Sequence, residues 1–234
     1  MKVKDIKLRD NTVIIADVHY KRGDKSFLRL LQSWIKNPPA QVVFLGDIFQ
    51  LLLPFDYLIE YNAEAILLIN ALSEKTQVYY TYGNHDFNLE SIFPRVIFAD
   101  AFADERNSIL LSHGDLTDPK DKKYQLYAKI IRIPLVCKIL HYATGNFKNN
   151  KIFNRVLSKP VKCAKIPNFE DIALRKLEHL EYDLIIEGHY HQDRDIVRGH
   201  QCYINMPAYV CNKKYILLKL DNKKRLLLKE EYGR

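Results

Sequence analysis

Cysteine is scarce. The 234 residues hold four (Cys137, Cys163, Cys202, Cys211), and none of them forms a C-x-x-C pair. That excludes a zinc ribbon and predicts reduced thiols in a cytosolic protein rather than a disulfide frame. No stretch approaches the roughly 18–20 uninterrupted apolar residues that a membrane-spanning helix needs. The first ten residues, MKVKDIKLRD, have no apolar segment after their charges, so no secretory leader is expected. There is no internal repeat and no low-complexity linker. With 8 glycines, 9 prolines, 47% hydrophobic and 27% charged residues, the composition is not that of a disordered chain, a collagen or a coiled coil. It suits a single domain over 1–234, long enough to bury a real core.

Acidic residues are nearly missing from one stretch. Between Pro119 and Lys165 stand twelve Lys or Arg and one acid, Asp121, a local net of +11, whereas the whole chain carries +8. The remainder is therefore slightly acidic, and the basicity belongs to one segment. Such a segment meets something anionic (a phosphorylated ligand, an anionic lipid surface or nucleic acid) unless it is simply a solvated helical face.

Five short β-rich runs stand out: Thr12–Ala16, Gln41–Leu45, Gln77–Thr81, Ser108–Leu111 and Asp183–Glu187. Each is almost continuously apolar or β-branched, as strands buried on both faces are. Phe27, Leu30, Leu31 and Trp34 form a helical stripe that ends before Pro38-Pro39. Ala63 to Leu72 and Ile172 to Leu180 read as further helices, the latter with Asn168 as a cap. Gln201–Asn205, Tyr215–Leu220 and Arg225–Lys229 look like later strands, the last two joined by a turn around Asp221-Asn222. Alternating strands and helices predict an α/β layer fold. The basic segment fills an unusually long connection between the fourth and fifth runs. Leu126, Ile130, Ile133, Val136, Ile139 and Leu140 recur there at near-helical spacing, with Pro134 breaking the pattern. A helical insertion, a lid over residues 118–166, is expected.

Metal-type ligands follow each of the five runs at once. They are Asp17-Val18-His19, Gly46-Asp47, Gly83-Asn84-His85-Asp86, Ser112-His113-Gly114-Asp115 and Gly188-His189-Tyr190-His191. Ligands gather outside the carboxyl ends of strands in open α/β sheets, so five such ends predict one convergent site. Residues two apart on an extended segment point the same way, so D-x-H and H-x-H can each reach one ion. Asp47 can bridge two ions. Two divalent cations against two aspartates suit a phosphate, and such a pair generates hydroxide near neutral pH. Oxygen and imidazole donors without thiolate suit Mn²⁺ or Fe. His141, His179 and His200 match no block and receive no role. Asp86 and Asp115 are expected to orient neighbouring groups rather than bind metal.

The ordered blocks D-x-H, G-D, G-N-H, H-G and G-H-x-H resemble the calcineurin-like metallophosphoesterase superfamily over Asp17 to His191. The resemblance implies a four-layer metallophosphoesterase-type α/β sandwich with a helical lid insertion. It implies two divalent metal ions, with manganese favoured. Asp17, His19, Asp47 and His191 would hold one ion, and Asp47, Asn84, His113 and His189 the other. His85 would face the phosphate as general acid or transition-state stabiliser, and Asn84 would touch the substrate as well.

Within the superfamily the chain looks most like the UDP-2,3-diacylglucosamine diphosphatases of lipid A synthesis. Gly46-Asp47-Ile48-Phe49, Gly83-Asn84-His85-Asp86-Phe87 and Lys120-Asp121-Lys122-Lys123-Tyr124-Gln125 carry that likeness. It implies a lipid-nucleotide substrate contacted by Asp121 and Tyr124. It also implies a cap for the acyl chains and a peripheral position on the anionic inner face of a bacterial inner membrane. His85 stands where those enzymes commonly have arginine, and Gln50 where they often have an acid. The alternatives are a general phosphodiesterase or phosphomonoesterase acting on nucleotides or nucleic acid, and a non-catalytic scaffold that kept the fold. Nucleic acid is not the expected partner, because no aromatic stacking platform accompanies the basic residues. The oligomeric state is open.

Overall fold

A computed structural model describes residues 1–143, 151–220 and 226–232. The expected turn at Asp221-Asn222, Arg225 and residues 144–150 of the insertion lie outside the described residues.

Two six-stranded sheets form the centre. In one, the order is β1 (Val3–Asp5), β6 (Ala101–Asp104), β7 (Ile109–Ser112), β8 (Leu184–Glu187), β10 (Gln201–Asn205) and β9 (Arg194–Arg198). In the other it is β12 (Leu226–Tyr232), β11 (Lys214–Leu220), β2 (Thr12–Ile15), β3 (Gln41–Phe44), β4 (Gln77–Thr81) and β5 (Ile97–Ala99). The pairs β2–β3, β3–β4, β4–β5, β7–β8 and β8–β10 are parallel. Each strand that precedes a motif thus runs parallel to the next motif strand of its sheet, and within each sheet their carboxyl ends share an edge.

Side-chain alternation explains the layering. Val13 and Ile15 of β2, Val42 and Phe44 of β3, and Val78 and Tyr80 of β4 face helices on the outside. These helices include α1 (Lys25–Lys36), α2 (Asp56–Tyr61) and α3 (Ala63–Ser73). Ile14, Val43 and Tyr79, one residue along each strand, meet Phe102, Leu111 and Ile186 of the other sheet. Leu110, Ile185 and Tyr203 turn the opposite way, onto α7 (Phe169–His179). The result is helix, sheet, sheet, helix, the expected four-layer sandwich. The α1 stripe falls as expected, with Phe27, Leu30, Leu31 and Trp34 buried and Asp24 capping through Ser26 N–H.

The insertion holds α4 (Lys122–Ile131), α5 (Pro134–Ala143) and α6 (Lys151–Ser158), between β7 and β8. Pro134 opens α5 at its first position, where its missing N–H costs nothing, and so separates it from α4. Cys137 and Leu157 of these helices are buried in the core under β2–β4.

Three sequence expectations need correction. Cys163 and Cys211 form a disulfide across 48 residues, with Cα atoms 5.9 Å apart; only Cys137 and Cys202 are thiols. The spacing could not reveal this, since tertiary folding alone brings the two together. Asn168 does precede α7, but it is left-handed (φ 56°) and its side chain caps nothing. The helix also begins earlier than expected, at Phe169. The short strands β1, β5, β6 and β9 and the short helix α8 (Tyr209–Asn212) were not anticipated, being too brief to show a period.

Candidate metal centre

All five motif turns meet at one end of the two sheets. Asp17 Oδ1 lies 3.4 Å from His191 Nε2. Asp47 Oδ2 lies 3.8 Å from His19 Nε2 and 3.5 Å from His113 Nε2. Asn84 Oδ1 lies 3.2 Å from His113 Nε2 and 3.0 Å from His189 Nδ1. Donor atoms of Asp17, His19 and His191 fall within 4.8 Å of one another, and so do those of Asp17, Asp47 and His113. The structure therefore gathers Asp17, His19, Asp47, Asn84, His113, His189 and His191, with Asp47 between the two halves.

The local backbone is not extended. Asp17, His19, Asp47, His189 and His191 all have positive φ, between 47° and 68°. Left-handed backbone is rare outside glycine and clusters at functional sites. In consequence H-x-H does not converge on one point, as its spacing alone predicted; the family resemblance had placed the two histidines in different halves. His191 joins Asp17 and His19, whereas His189 joins Asn84 and His113. Close approach also decides two glycines. A Cβ on Gly83 would collide with the Asp47 side chain and backbone, and one on Gly188 would stand 2.6 Å from Asp17 Oδ2.

Neighbouring groups orient the ligands. Leu45 C=O lies 2.8 Å from His113 Nδ1, Lys162 C=O 2.8 Å from His191 Nδ1, and Gln50 C=O 2.6 Å from His85 Nδ1. A carbonyl can only accept, so each Nδ1 carries the hydrogen and each Nε2 faces the cluster. His189 N–H donates to both oxygens of Asp17, at 3.1 and 2.9 Å. Asp86 accepts from the N–H groups of Asp47, Phe49 and Gly83 and from the Tyr80 hydroxyl. It supports the Asp47 turn without joining the cluster.

Electrostatics sort the histidines. Burial pulls His19 down to about 4 despite Asp47 and Asp17. Burial, then the nearby His113, brings His189 to about 4 as well. Burial opposes charge on His113 too, but Asp47, Asp115 and Asp17 outweigh it and push it up to about 9. Of the two contacts at Asp47, the His113 one is therefore an ion pair at neutral pH and the His19 one is not. Burial disfavours the Asp47 charge, yet His113, His85 and His19 hold its carboxyl well below the usual range. Both ring nitrogens of His19 are buried with no hydrogen-bond partner. Neutral, unpartnered imidazole among carboxylates fits a divalent cation, and the donor set is oxygen and nitrogen throughout. No cysteine sulfur stands among these donors.

A cleft of about 200 Å³ opens over this cluster. His19, Asp47, Asn84, His85, His189 and His191 line it together with Lys159 to Lys162. His85 thus stands at the cluster, 4.9 Å from His19 between ring centroids. Asp121 and Tyr124 do not line the cleft. Asp121 is exposed at the start of α4 with no capping bond, and Tyr124 gives its hydroxyl to Asp115 Oδ2 at 3.0 Å. The irregular segment after α6 lies inside the expected lid over 118–166, but none of its residues was expected at the site. Gln50 Nε2 donates to Val156 C=O at the end of α6 at 2.9 Å and to Lys159 C=O at 3.3 Å, and Lys21 Nζ donates to Lys159 C=O at 3.1 Å, which ties this strap to the site. The excess of lysine there was visible, but nothing in it gave a position.

Comparison with known proteins gives the family. The pattern of the family described as calcineurin-like phosphoesterase matches residues 11–193. A UDP-2,3-diacylglucosamine hydrolase of Blochmanniella pennsylvanica is 25% identical over 244 aligned residues, covering 94% of this chain and 96% of that protein. Another protein of that name, from Wigglesworthia glossinidia brevipalpis, is 23% identical and covers 93% of each. A solved dimetal phosphatase from Danio rerio is similar over 95% of this chain and 96% of its own, at 14% identity and a TM-score of 0.47.

Proposed function

The chain belongs to the calcineurin-like phosphoesterase family, and from that premise we propose that this dinuclear metallophosphoesterase cleaves UDP-2,3-diacylglucosamine to UMP and 2,3-diacylglucosamine 1-phosphate. The observation that carries the chemistry is the place of Asp47. One carboxylate stands within 4 Å of imidazoles from both halves of the cluster.

Asp17, His19, Asp47 and His191 would hold one cation, and Asp47, Asn84, His113 and His189 the other; manganese suits the donors. Such a pair, when bound, lowers the pKa of water and offsets the charge of a phosphate. The residues do the rest. The carbonyls of Leu45 and Lys162 keep His113 and His191 in the tautomer that presents Nε2. His85, held through Nδ1 by Gln50, presents Nε2 to the cleft, and in its imidazolium form, with a hydrogen on both nitrogens, it can give a hydrogen bond or a proton to a phosphoryl oxygen there. Lys159 and Lys162 also line the cleft, where cations favour a diphosphate. Water oxygen bonds to the α-phosphorus, the anhydride bond to the β-phosphate oxygen breaks, and the sugar leaves with that phosphate.

The lipid half of the reading rests on the insertion. Leu126, Tyr127, Ile130 and Ile133 of the α4 region and Leu135, Ile139 and Tyr142 of α5 are all exposed. Lys122, Lys123, Lys129 and Lys138 accompany them on the surface. Apolar side chains among lysines suit the interface of an anionic bilayer. No helix among the described residues is long and apolar enough to cross one. Beside α5 lies a cavity of about 670 Å³ lined by Pro54, Phe55, Pro134, Cys137 and Tyr142 among others, a suitable place for acyl chain.

The test is release of UMP from the lipid nucleotide by purified protein with Mn²⁺, and its loss in Asp47→Ala. Rapid turnover of simple phosphomonoesters or cyclic nucleotides, with none on the lipid nucleotide, would reject the substrate.

A further inference from the structure

Lys176, in the middle of α7, has no exposed surface, and neither has Glu187 at the end of β8. Burying two charges is costly unless both are fully partnered. Here they are. The Lys176 ammonium donates to Glu187 Oε2 at 2.5 Å and to Gly114 C=O at 2.8 Å, and lies 4.6 Å from the Tyr190 ring centroid. Glu187 Oε2 also accepts from the Tyr203 hydroxyl at 2.9 Å. Its Oε1 accepts from Ser112 Oγ at 2.6 Å and Thr117 Oγ1 at 2.7 Å. Hydrophobic residues of similar volume often replace such a buried pair without loss of stability. What they would not do is hold the particular backbone atoms this network holds.

Those atoms flank two histidines. Ser112 and Gly114 are the neighbours of His113 on either side, and Glu187 lies two residues before His189. Asn205 Nδ2 adds bonds to the carbonyls of Glu187 and Gly188, at 3.2 and 2.6 Å. His113 and His189 stand with ring centroids 5.1 Å apart and share Asn84 Oδ1. No bond of the Lys176 or Glu187 side chain reaches Asp17, His19 or His191; the link to that half runs only through Asn205 Oδ1, which accepts Gln192 N–H at 2.7 Å, and through His189 N–H on Asp17. We infer that the Lys176–Glu187 pair is a positioning device for one half of the metal centre: it fixes His113 against His189 and so sets the affinity of that half-site alone. The inference rests on the two-cation reading above.

Calorimetric titration of metal-stripped, full-length protein with Mn²⁺ tests it, alongside thermal melts. Wild type should bind in two steps; a wild type that binds fewer than two ions would sink the two-cation reading instead. The double variant Lys176→Met/Glu187→Gln removes both charges together and so avoids stranding one. Its melting temperature should stay near that of wild type, while one of the two steps weakens about 10–100-fold, the range for groups that orient metal ligands. The other step should stay unchanged. Ser112→Ala, which removes one bond to Glu187 and keeps the ion pair, should weaken the same step several-fold. The Ser112→Ala isotherm decides the matter should the double variant fail to fold. Unchanged isotherms, or equal weakening of both steps, would overturn the inference.

Discussion

Cys163 is disulfide-bonded to Cys211, and the bond joins two segments that each touch the same half of the cluster. Lys162, next to Cys163, holds His191 through its carbonyl. Val210, next to Cys211, donates its N–H to Asp17 C=O at 3.1 Å. Reduction should therefore act on stability and on the cleft together. Closing a loop of 48 residues is worth about 4 kcal/mol on the chain-entropy scale, an upper value for what reduction removes. The urea midpoint should fall with reductant and in Cys163→Ser, and KM should rise as the Lys159–Lys162 strap loosens. Identical midpoints with and without reductant would show that the bond adds nothing.

Asp86 buries its carboxylate under the Asp47 turn and accepts three backbone N–H groups and a tyrosine hydroxyl. Asp86→Asn would point an NH₂ at some of those donors. Loss of such support typically costs 10–100-fold in metal affinity or activity. A fall of that size is expected in kcat/KM at limiting Mn²⁺. Wild-type kinetics in Asp86→Asn would mean that Asp47 is held by other bonds.

Metal-stripped protein should be most stable near pH 6.5. His19 and His189 have folded values of about 4, below the ordinary 6.5. They contribute stability that is complete above 6.5 and lost as pH falls toward 4, because only the unfolded chain takes up those protons. His113 has a folded value of about 9, so its contribution is complete below 6.5 and lost as pH rises through 9. Glu187, held low by Lys176 against its burial, adds a further acid limb below its ordinary 4.5. Chemical denaturation across pH 4–10 in chelator measures the curve. A flat profile above pH 6.5 would contradict the charge assigned to His113.

Arg132 ties the insertion to the motif turns, donating from Nη2 to Gly83 C=O at 2.9 Å and to Asp115 Oδ2 at 2.7 Å. Arg132→Met should loosen α4 more than it destabilises the whole molecule, since Tyr124 still pairs Asp115. Faster hydrogen exchange over residues 122–131 and a higher KM with little change in kcat are expected. Unaltered exchange there would show that apolar packing alone seats the helix.

Much of the site can be read in the sequence because its logic is local. A buried strand announces itself as a short apolar run, and the residue after it occupies the sheet's carboxyl edge wherever that sheet lies. Asp17, Asp47, Asn84, His113 and His189 follow such runs directly, and their common end needs only parallel pairing. The four layers follow likewise from alternation, as Ile14 and Val13 show by facing opposite cores.

Other features have no local signature. Left-handed backbone at Asp17, His19 and His191 breaks the extended geometry that the spacing assumed, and the division of His189 from His191 came from family resemblance, not from spacing. Lys176 reads as one more helical lysine until folding buries it against Glu187. Cys163 and Cys211 read as stray thiols until the strap and α8 meet. Composition and periodicity specify which residues leave water and which end of a strand they reach. Contacts between segments far apart in the chain depend on the three-dimensional path of everything between them, and that path decided the partners of each charge, imidazole and sulfur.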